Sequence, residues 1–215
     1  MVAMTVIGRR VASFVICVVF GLSIALAESH SGATSPVFKP NPISPLSSGN
    51  EMVAQEIVLP KIFLVRQDGS KAMLPEEFEQ GKPVLLTFIF SSCKAICPIM
   101  SRLMKSVQNN LGGRANEIQM ASISLDPEFD TPKRLTQYAH QLGAGTQWTH
   151  YTGLSADIVK LERAFTIYRG DKMNHLSVFF VRRSPKEQWL KFTGFVNPDN
   201  LIKELGLEHE AQSKN

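Results

Sequence analysis

Cysteine is scarce in this chain: three occur among 215 residues, at positions 17, 93 and 97. Three thiols cannot form the dense disulfide framework of a small secreted scaffold. A chain of this length instead stabilises itself by burying one ordinary hydrophobic core.

The chain also lacks a strong excess of either charge. It carries 23 Lys and Arg against 19 Asp and Glu, and loss of Arg9 and Arg10 with the N-terminal segment would leave 21 basic residues against 19 acidic ones. A balance so close to neutral argues against nucleic acid as a binding partner, and against any other partner that is recognised by charge alone.

Only one apolar run approaches the length of a membrane span. Residues 11–27 read VASFVICVVFGLSIALA, follow a basic start and end in an A-x-A pattern, as in an export signal cleaved after Ala27. A retained anchor is the alternative, because a run of this length is at the short limit for a bilayer-spanning helix. We therefore expect residues 1–27 to be a signal peptide or N-terminal membrane anchor. The protein would be periplasmic or otherwise exported, and tethered to the inner membrane through residues 11–27 if the anchor stays.

The rest of the chain divides into three parts. Residues 28–50 are rich in Ser, Pro, Gly and Asn and cannot offset their ordering entropy by burial, so we expect a flexible linker over 28–55. Residues 56–207 carry regular apolar patterns and are predicted to form one folded domain. Residues 208–215 are predicted to be a polar tail.

The domain shows strand and helix patterns in alternation, with a hairpin near its end. This order predicts an α/β fold with a central mixed sheet flanked by helices. Thr131, Ser155 and Asn197 are the expected N-caps of three of the helices. Strand patterns occupy 57–65, 83–90, 118–125, 147–153, 176–183 and 188–195, and helical patterns follow the cysteines to Gly112 and cover 130–143, 155–168 and 197–206.

Cys93 and Cys97 lie directly after the apolar run PVLLTFIF, at the carboxyl end of a predicted central strand, where open α/β sheets place their chemistry. Their i, i+4 spacing puts both sulfurs on one side of a first helical turn, facing outward together. The N-terminus of a helix favours thiolate over thiol. Pro98 is tolerated only in that first turn, so the helix should begin at or just before Cys97.

Three roles are open to such a pair: a structural disulfide, a thiol–disulfide redox couple, or ligation of a soft metal. A disulfide closing so small a ring stabilises little, which weakens the structural role. Thiolates select Cu(I), zinc or iron–sulfur clusters, and two sulfurs require at least one further ligand.

Histidine is the natural third ligand, although a hydrogen-bonded structural role is the ordinary one for any single histidine. His30 lies in the linker and His209 in the tail, whereas His140 should be exposed on a helix. His150 lies within a strand and should be a surface or hydrogen-bonded residue. His175 ends the loop YRGDKMNH before an apolar strand and can lie near the cysteine end of the sheet, but spacing alone does not bring it to the sulfurs.

Four segments carry a family resemblance. TFIFSSCKAICPIMS (87–101) holds C-x-x-x-C-P after a strand, and SISLDPEFDTPKRLTQYA (122–139) holds S-x-D-P-x-x-D-T-P. QWTHYTG (147–153) is a strand end of the W-x-x-x-x-G type, and GDKMNHLSVFFV (170–181) is a histidine loop with its following strand. Over residues 56–205 the chain thereby resembles the Sco/SenC family, exported thioredoxin-fold proteins that handle copper for cytochrome oxidase assembly.

The resemblance implies a thioredoxin-like fold in which Cys93, Cys97 and His175 bind copper, as Cu(I) or Cu(II), with the histidine carried over the cysteines on a mobile segment. The implied partner is a copper-accepting oxidase subunit or another exported copper protein. A thiol–disulfide oxidoreductase is the alternative: Cys93 attacks a partner disulfide and Cys97 resolves the mixed disulfide.

Other positions match the family less directly. Asp126 and Asp130 match family positions and are interpreted as turn and cap residues before the helix, with a role for Asp126 beside the metal as an alternative. Asn174 stands where many family members have Asp, which removes a carboxylate that would orient the imidazole. Met173 offers a soft thioether, but a single loop methionine is more often a packing residue or present by chance.

Overall fold

The structure, a computed structural model, describes residues 51–207. The predicted signal peptide or anchor, most of the predicted linker and the polar tail lie outside the described residues, together with one cysteine and two histidines. Among the described residues, no helix is both long enough and apolar enough to span a bilayer.

The described part of the chain forms eight strands, which make one mixed sheet in the order β1-β8-β7-β4-β5-β6-β2-β3. β4 lies near its centre, parallel to β5 on one side and antiparallel to β7 on the other. The prediction of a mixed sheet is therefore confirmed. The strands are β1 Glu51–Gln55, β2 Phe63–Arg66, β3 Lys71–Met73, β4 Val84–Ile89, β5 Gln119–Ser124, β6 Trp148–Gly153, β7 Val178–Arg182 and β8 Trp189–Thr193.

Within residues 51–207, five α-helices and two 3₁₀ segments accompany the sheet. Their bounds are α1 Leu74–Phe78, α2 Cys97–Leu111, α3 Pro132–Leu142, α4 Ser155–Ala164 and α5 Pro198–Glu204, with 3₁₀ segments at Gly112–Glu117 and Lys172–Asn174. Each face of the sheet has its own core, and neighbouring β4 residues show why: Leu85 joins the core under α2 and α5, whereas Leu86 joins the core under α4. Successive strand residues point to opposite faces, so a strand between two cores is apolar throughout.

The predicted central strand is confirmed by burial, since all six residues of β4 are buried. Two of the predicted caps are confirmed as well. The Thr131 hydroxyl accepts a hydrogen bond from the Arg134 amide at the start of α3, and the Asn197 side chain accepts one from the Asp199 amide at the start of α5.

Ser155 does not cap α4, contrary to prediction. Leu154 takes the extended N-cap conformation, and Ser155 is the first helical residue. From that position no side chain caps the free amides of the first turn. The Ser155 hydroxyl instead contacts a carboxylate oxygen of Glu128, 3.4 Å away.

The predicted linker over 28–55 ends too late, because residues 51–55 form strand β1. β1 pairs antiparallel with β8, and Glu51 lies opposite Thr193. Met52 and Val53 stay exposed. Backbone pairing to an existing edge, rather than side-chain burial, therefore forms this strand, and composition gives no signal for it. The strand predicted over 57–65 begins later than its apolar pattern, at Phe63, beyond Pro60.

Of the three histidines that the structure describes, His150 alone lies inside the core. It is fully buried in β6, its ring stacks on Trp148 at 5.3 Å, and its Nδ1 lies 3.0 Å from the side-chain oxygen of Gln67. His150 is therefore a hydrogen-bonded residue, as one of the two predicted alternatives states, and not a surface residue. Burial lowers the pKa of His150 to about 4.

This burial predicts acid sensitivity. The unfolded chain takes up the His150 proton near pH 6.5 whereas the folded chain resists it until about pH 4, so stability falls as the pH drops through this window. We expect protonation of His150 to lower the free energy of unfolding by up to about 3 kcal/mol between neutral pH and pH 4. Urea unfolding of a His150→Phe variant between pH 7 and 4 should show a flatter pH dependence than the parent. A His140→Gln control, altered at an exposed helical site, should keep the parental slope; equal slopes in all three proteins would contradict the assignment.

Candidate metal centre

The cysteines lie where the central strand gives way to a helix. After β4, the Cys93 amide donates to the carbonyl of Phe90 at 3.1 Å, which closes a tight turn beyond the strand end. α2 then begins at Cys97, with Pro98 in its first turn. This confirms the predicted helix start, because proline fits only where no intrahelical amide bond is lost.

The structure brings His175 to both sulfurs. Its Nε2 lies 3.5 Å from Cys97 Sγ and 4.0 Å from Cys93 Sγ, and the three ligand atoms all lie within 4.8 Å of one another. Both cysteines are free thiols. A three-coordinate ion with bonds of about 2.0–2.3 Å holds its ligand atoms roughly 3.5–4 Å apart. The observed spacing therefore suits a soft metal ion held by two sulfurs and one nitrogen.

His175 is held by its neighbours as well as by the chain. Its ring packs edge-on against Phe90, with centroids 5.2 Å apart, and the side chain is half-buried. Burial lowers the pKa of His175 below its ordinary value, which favours the neutral imidazole that binds metals. Phe90 immediately follows β4, so the same aromatic residue supports both the cysteine turn and the histidine.

The two thiols differ in environment. We expected both sulfurs to face outward, but Cys97 is fully buried and only Cys93 is partly exposed. Burial raises the pKa of Cys97 to about 12, and the neighbouring Cys93 adds to this shift. Burial also acts to raise the pKa of Cys93, but the amides of Cys97, Ala95 and Ile96 together outweigh it and leave that pKa below its ordinary value.

Asp130 joins the two central parallel strands at the site. It is fully buried, and its carboxylate accepts hydrogen bonds from the Ser91 amide at 3.0 Å, from the Ser91 hydroxyl and from the Ser124 hydroxyl at 2.6 Å. Thr131, not Asp130, caps α3, so the cap interpretation of Asp130 is wrong. Ser124 is the first residue of the S-x-D-P-x-x-D-T-P segment, but neither its bond to Asp130 nor that of Ser91 follows from the motif; the signal in the sequence is a hydroxyl residue at the end of each of two neighbouring strands.

Asp126 connects the site to the histidine loop. Its carboxylate accepts from Lys172 Nζ at 2.6 Å, an ion pair that the sequence analysis did not anticipate. Asn174 and Met173 are both exposed, Met173 to 69%, so the methionine is not a packing residue.

Comparison with known proteins agrees with this architecture. The SCO1/SenC family profile matches residues 55–206, which is well over half of the chain. The chain belongs to the SCO1/SenC family. It is 36% identical over 90 residues to the SCO1 protein homolog of Bacillus subtilis, an alignment that covers 41% of this chain and 46% of that relative. The chain thus spans about half the length of the curated relative it matches.

Solved structures share the fold. BsSco, described as a Sco family cytochrome c oxidase assembly protein with a disulfide switch, has a TM-score of 0.59 at 25% identity over 71% of this chain and 97% of its own. The copper-bound structure of Bradyrhizobium japonicum ScoI has a TM-score of 0.58 at 20% identity, over 69% of this chain and 98% of its own. The predicted thioredoxin-like fold is therefore confirmed.

The asymmetry of the thiols predicts selective labelling. In the reduced protein at pH 7.5, Cys93 should react with iodoacetamide at least about ten times faster than Cys97, because Cys93 is partly exposed and richer in thiolate. Peptide mass spectrometry over a time course measures both rates. Comparable rates, or faster modification of Cys97, would contradict the assigned environments; a Cys93→Ser variant provides the control rate for Cys97 alone.

Proposed function

We propose that this protein binds one copper ion through Cys93, Cys97 and His175 and delivers it to an exported copper enzyme, with the dinuclear copper site of cytochrome c oxidase as the first candidate recipient. The observation that supports this most directly is the convergence of three ligand atoms within 4.8 Å, from residues about eighty positions apart. Membership of the SCO1/SenC family and the fold shared with copper-bound ScoI add to it.

The donor set favours copper over zinc. Two thiolates and an imidazole complete the low coordination that Cu(I) accepts, whereas structural zinc takes four protein ligands. Among residues 51–207, the ligand group consists of two cysteines and one histidine, with no carboxylate in it. A soft, three-coordinate site therefore suits the chemistry of these residues best.

Delivery also requires that the metal can leave. Cys93 lies at the partly exposed side of the site, and His175 follows a short 3₁₀ turn rather than a strand. Two ligands can thus be exchanged or moved without unfolding β4 or α2, which carry the core. A site built in this way binds a metal firmly and still permits transfer.

The proposed location follows from the N-terminal pattern at residues 1–27, which lies outside the described residues. An exported protein would meet copper and copper-accepting oxidase subunits outside the cytosol. The same compartment permits thiol oxidation, so the two cysteines require reduction before they can hold copper.

A second candidate function is thiol–disulfide exchange, favoured by the lowered pKa of Cys93 beside a second thiol. The Cys93 thiolate would attack a partner disulfide, releasing one partner thiolate and forming a mixed disulfide. Cys97, after losing its proton, would attack Cys93 Sγ, releasing the second partner thiolate and leaving a Cys93–Cys97 disulfide. The partner is reduced by two electrons and this protein is oxidised by two.

Copper titration tests the first function. The reduced protein should bind about one copper ion. His175→Ala should lower the copper affinity by more than about tenfold, because loss of a residue that only hydrogen-bonds to a metal ligand already lowers metal affinity by that factor. Competition against a Cu(I) chelator measures the affinity, and native mass spectrometry measures the stoichiometry. His140→Ala, on the exposed face of α3, is the matched control. Unchanged affinity in the His175 variant would remove this residue from the site.

Variants also separate redox work from copper binding. If thiol exchange is the function, Cys93→Ser should abolish reduction of a dithiol-forming test disulfide, whereas His175→Ala should leave the rate nearly intact because no step uses the imidazole. The rate of thiol release measures both variants. Equal activity of the two would defeat the exchange scheme.

A further inference from the structure

We propose that Lys172 is a positioning residue whose ion pair with Asp126 holds His175 over the two thiols and so limits the rate at which copper leaves. This inference rests on the proposed copper function, which it deepens. It concerns a lysine that ligates nothing and acts only through its neighbours.

The ion pair is well placed for this role. Lys172 Nζ lies 2.6 Å from a carboxylate oxygen of Asp126, whose side chain is only 11% exposed. The same ammonium group lies 5.8 Å from the centroid of the Phe90 ring, against which His175 packs at 5.2 Å. Lysine and histidine therefore contact one aromatic side chain, and the ion pair fixes the position of the lysine.

A short, capped turn connects the lysine to the histidine. The Asp171 carboxylate accepts from the Met173 amide at 2.8 Å, and the Asp171 carbonyl accepts from the Asn174 amide at 3.0 Å. The His175 amide donates to the Lys172 carbonyl at 3.2 Å. Because the turn is hydrogen-bonded from end to end, displacement of Lys172 carries His175 with it.

The other end of the ion pair is fixed to the cysteine side of the site. The Asp126 amide donates to the Ser124 hydroxyl at 3.0 Å, and that hydroxyl donates to Asp130. Asp130 in turn accepts from Ser91, two residues before Cys93. A series of hydrogen bonds thus runs from Ser91, on the loop that carries Cys93, to Asp126, and the ion pair with Lys172 extends it to the histidine turn.

The segment before the turn contains a glycine in the left-handed region of backbone conformation. Gly170 has a φ of +78°, and a Cβ built there would meet nothing within 4 Å. Backbone in open space at this point gives the turn a place to pivot. The ion pair therefore adds a restraint on the turn to the packing of His175 against Phe90.

The experiment compares three variants in the full reduced chain loaded with Cu(I). Lys172→Met removes the charge and keeps the stem, Lys172→Arg keeps the charge, and Lys94→Met removes an exposed lysine next to Cys93 as the control for lost positive charge. Stopped-flow transfer to bicinchoninate measures copper release. We expect release about five- to tenfold faster in Lys172→Met and near the parental rate in the other two, since ion pairs and outer-shell contacts have effects of this size.

Salt distinguishes positioning from a general loss of stability. Raising ionic strength should speed release from the parent and not from Lys172→Met, because screening acts on a pair that the variant lacks. Equal release from Lys172→Met and Lys94→Met would overturn the proposal, as would faster release from both. Asp126→Asn, which breaks the pair from its other end, must reproduce the effect if Lys172→Met fails to fold. If the parent binds no copper, or His175→Ala binds as tightly as the parent, the proposed function itself fails instead.

Discussion

The ligand geometry depends on the hydrogen bonding of one buried carboxylate. Asp130 has no exposed surface, and a buried charge is tolerated only when hydrogen bonds replace its lost hydration. Ser91 and Ser124 supply those bonds from the ends of β4 and β5. The carboxylate thereby fixes the two strand ends relative to each other. Cys93 follows one of these strand ends and Asp126 the other, so both sides of the candidate metal centre take their positions from this contact.

Within this arrangement, burial gives the two thiols different pKa values and different access to solvent. Cys97 enters α2 and the core, whereas Cys93 stays on the turn, where helix-start amides point at its sulfur. The same pair thus combines an accessible, readily ionised thiol with a protected one. This arrangement serves metal binding and disulfide exchange equally well, and the histidine is what favours the metal.

Much of this arrangement could be predicted from sequence. The buried strand β4, the start of α2 and the caps of α3 and α5 follow from local rules of apolar periodicity, proline and side-chain capping. β1 could not be predicted, because its pairing with β8 depends on a sheet edge that exists only in the folded chain. The approach of His175 to the thiols required the family resemblance, since nothing local measures a distance across about eighty residues. Lys172 could not be predicted, because an exposed loop lysine has no sequence signal for a partner in the loop after β5.

The burial of Cys97 has a consequence for how a bound copper ion would depart. An incoming donor atom from an acceptor protein can approach only from the solvent side, where Cys93 lies, because α2 and the core close off the other sulfur. Replacement of one ligand at a time would then begin at Cys93 and finish at Cys97. Under the proposed delivery function, the bond to Cys97 would be the last to break, so the recipient would already coordinate the ion when this protein released it.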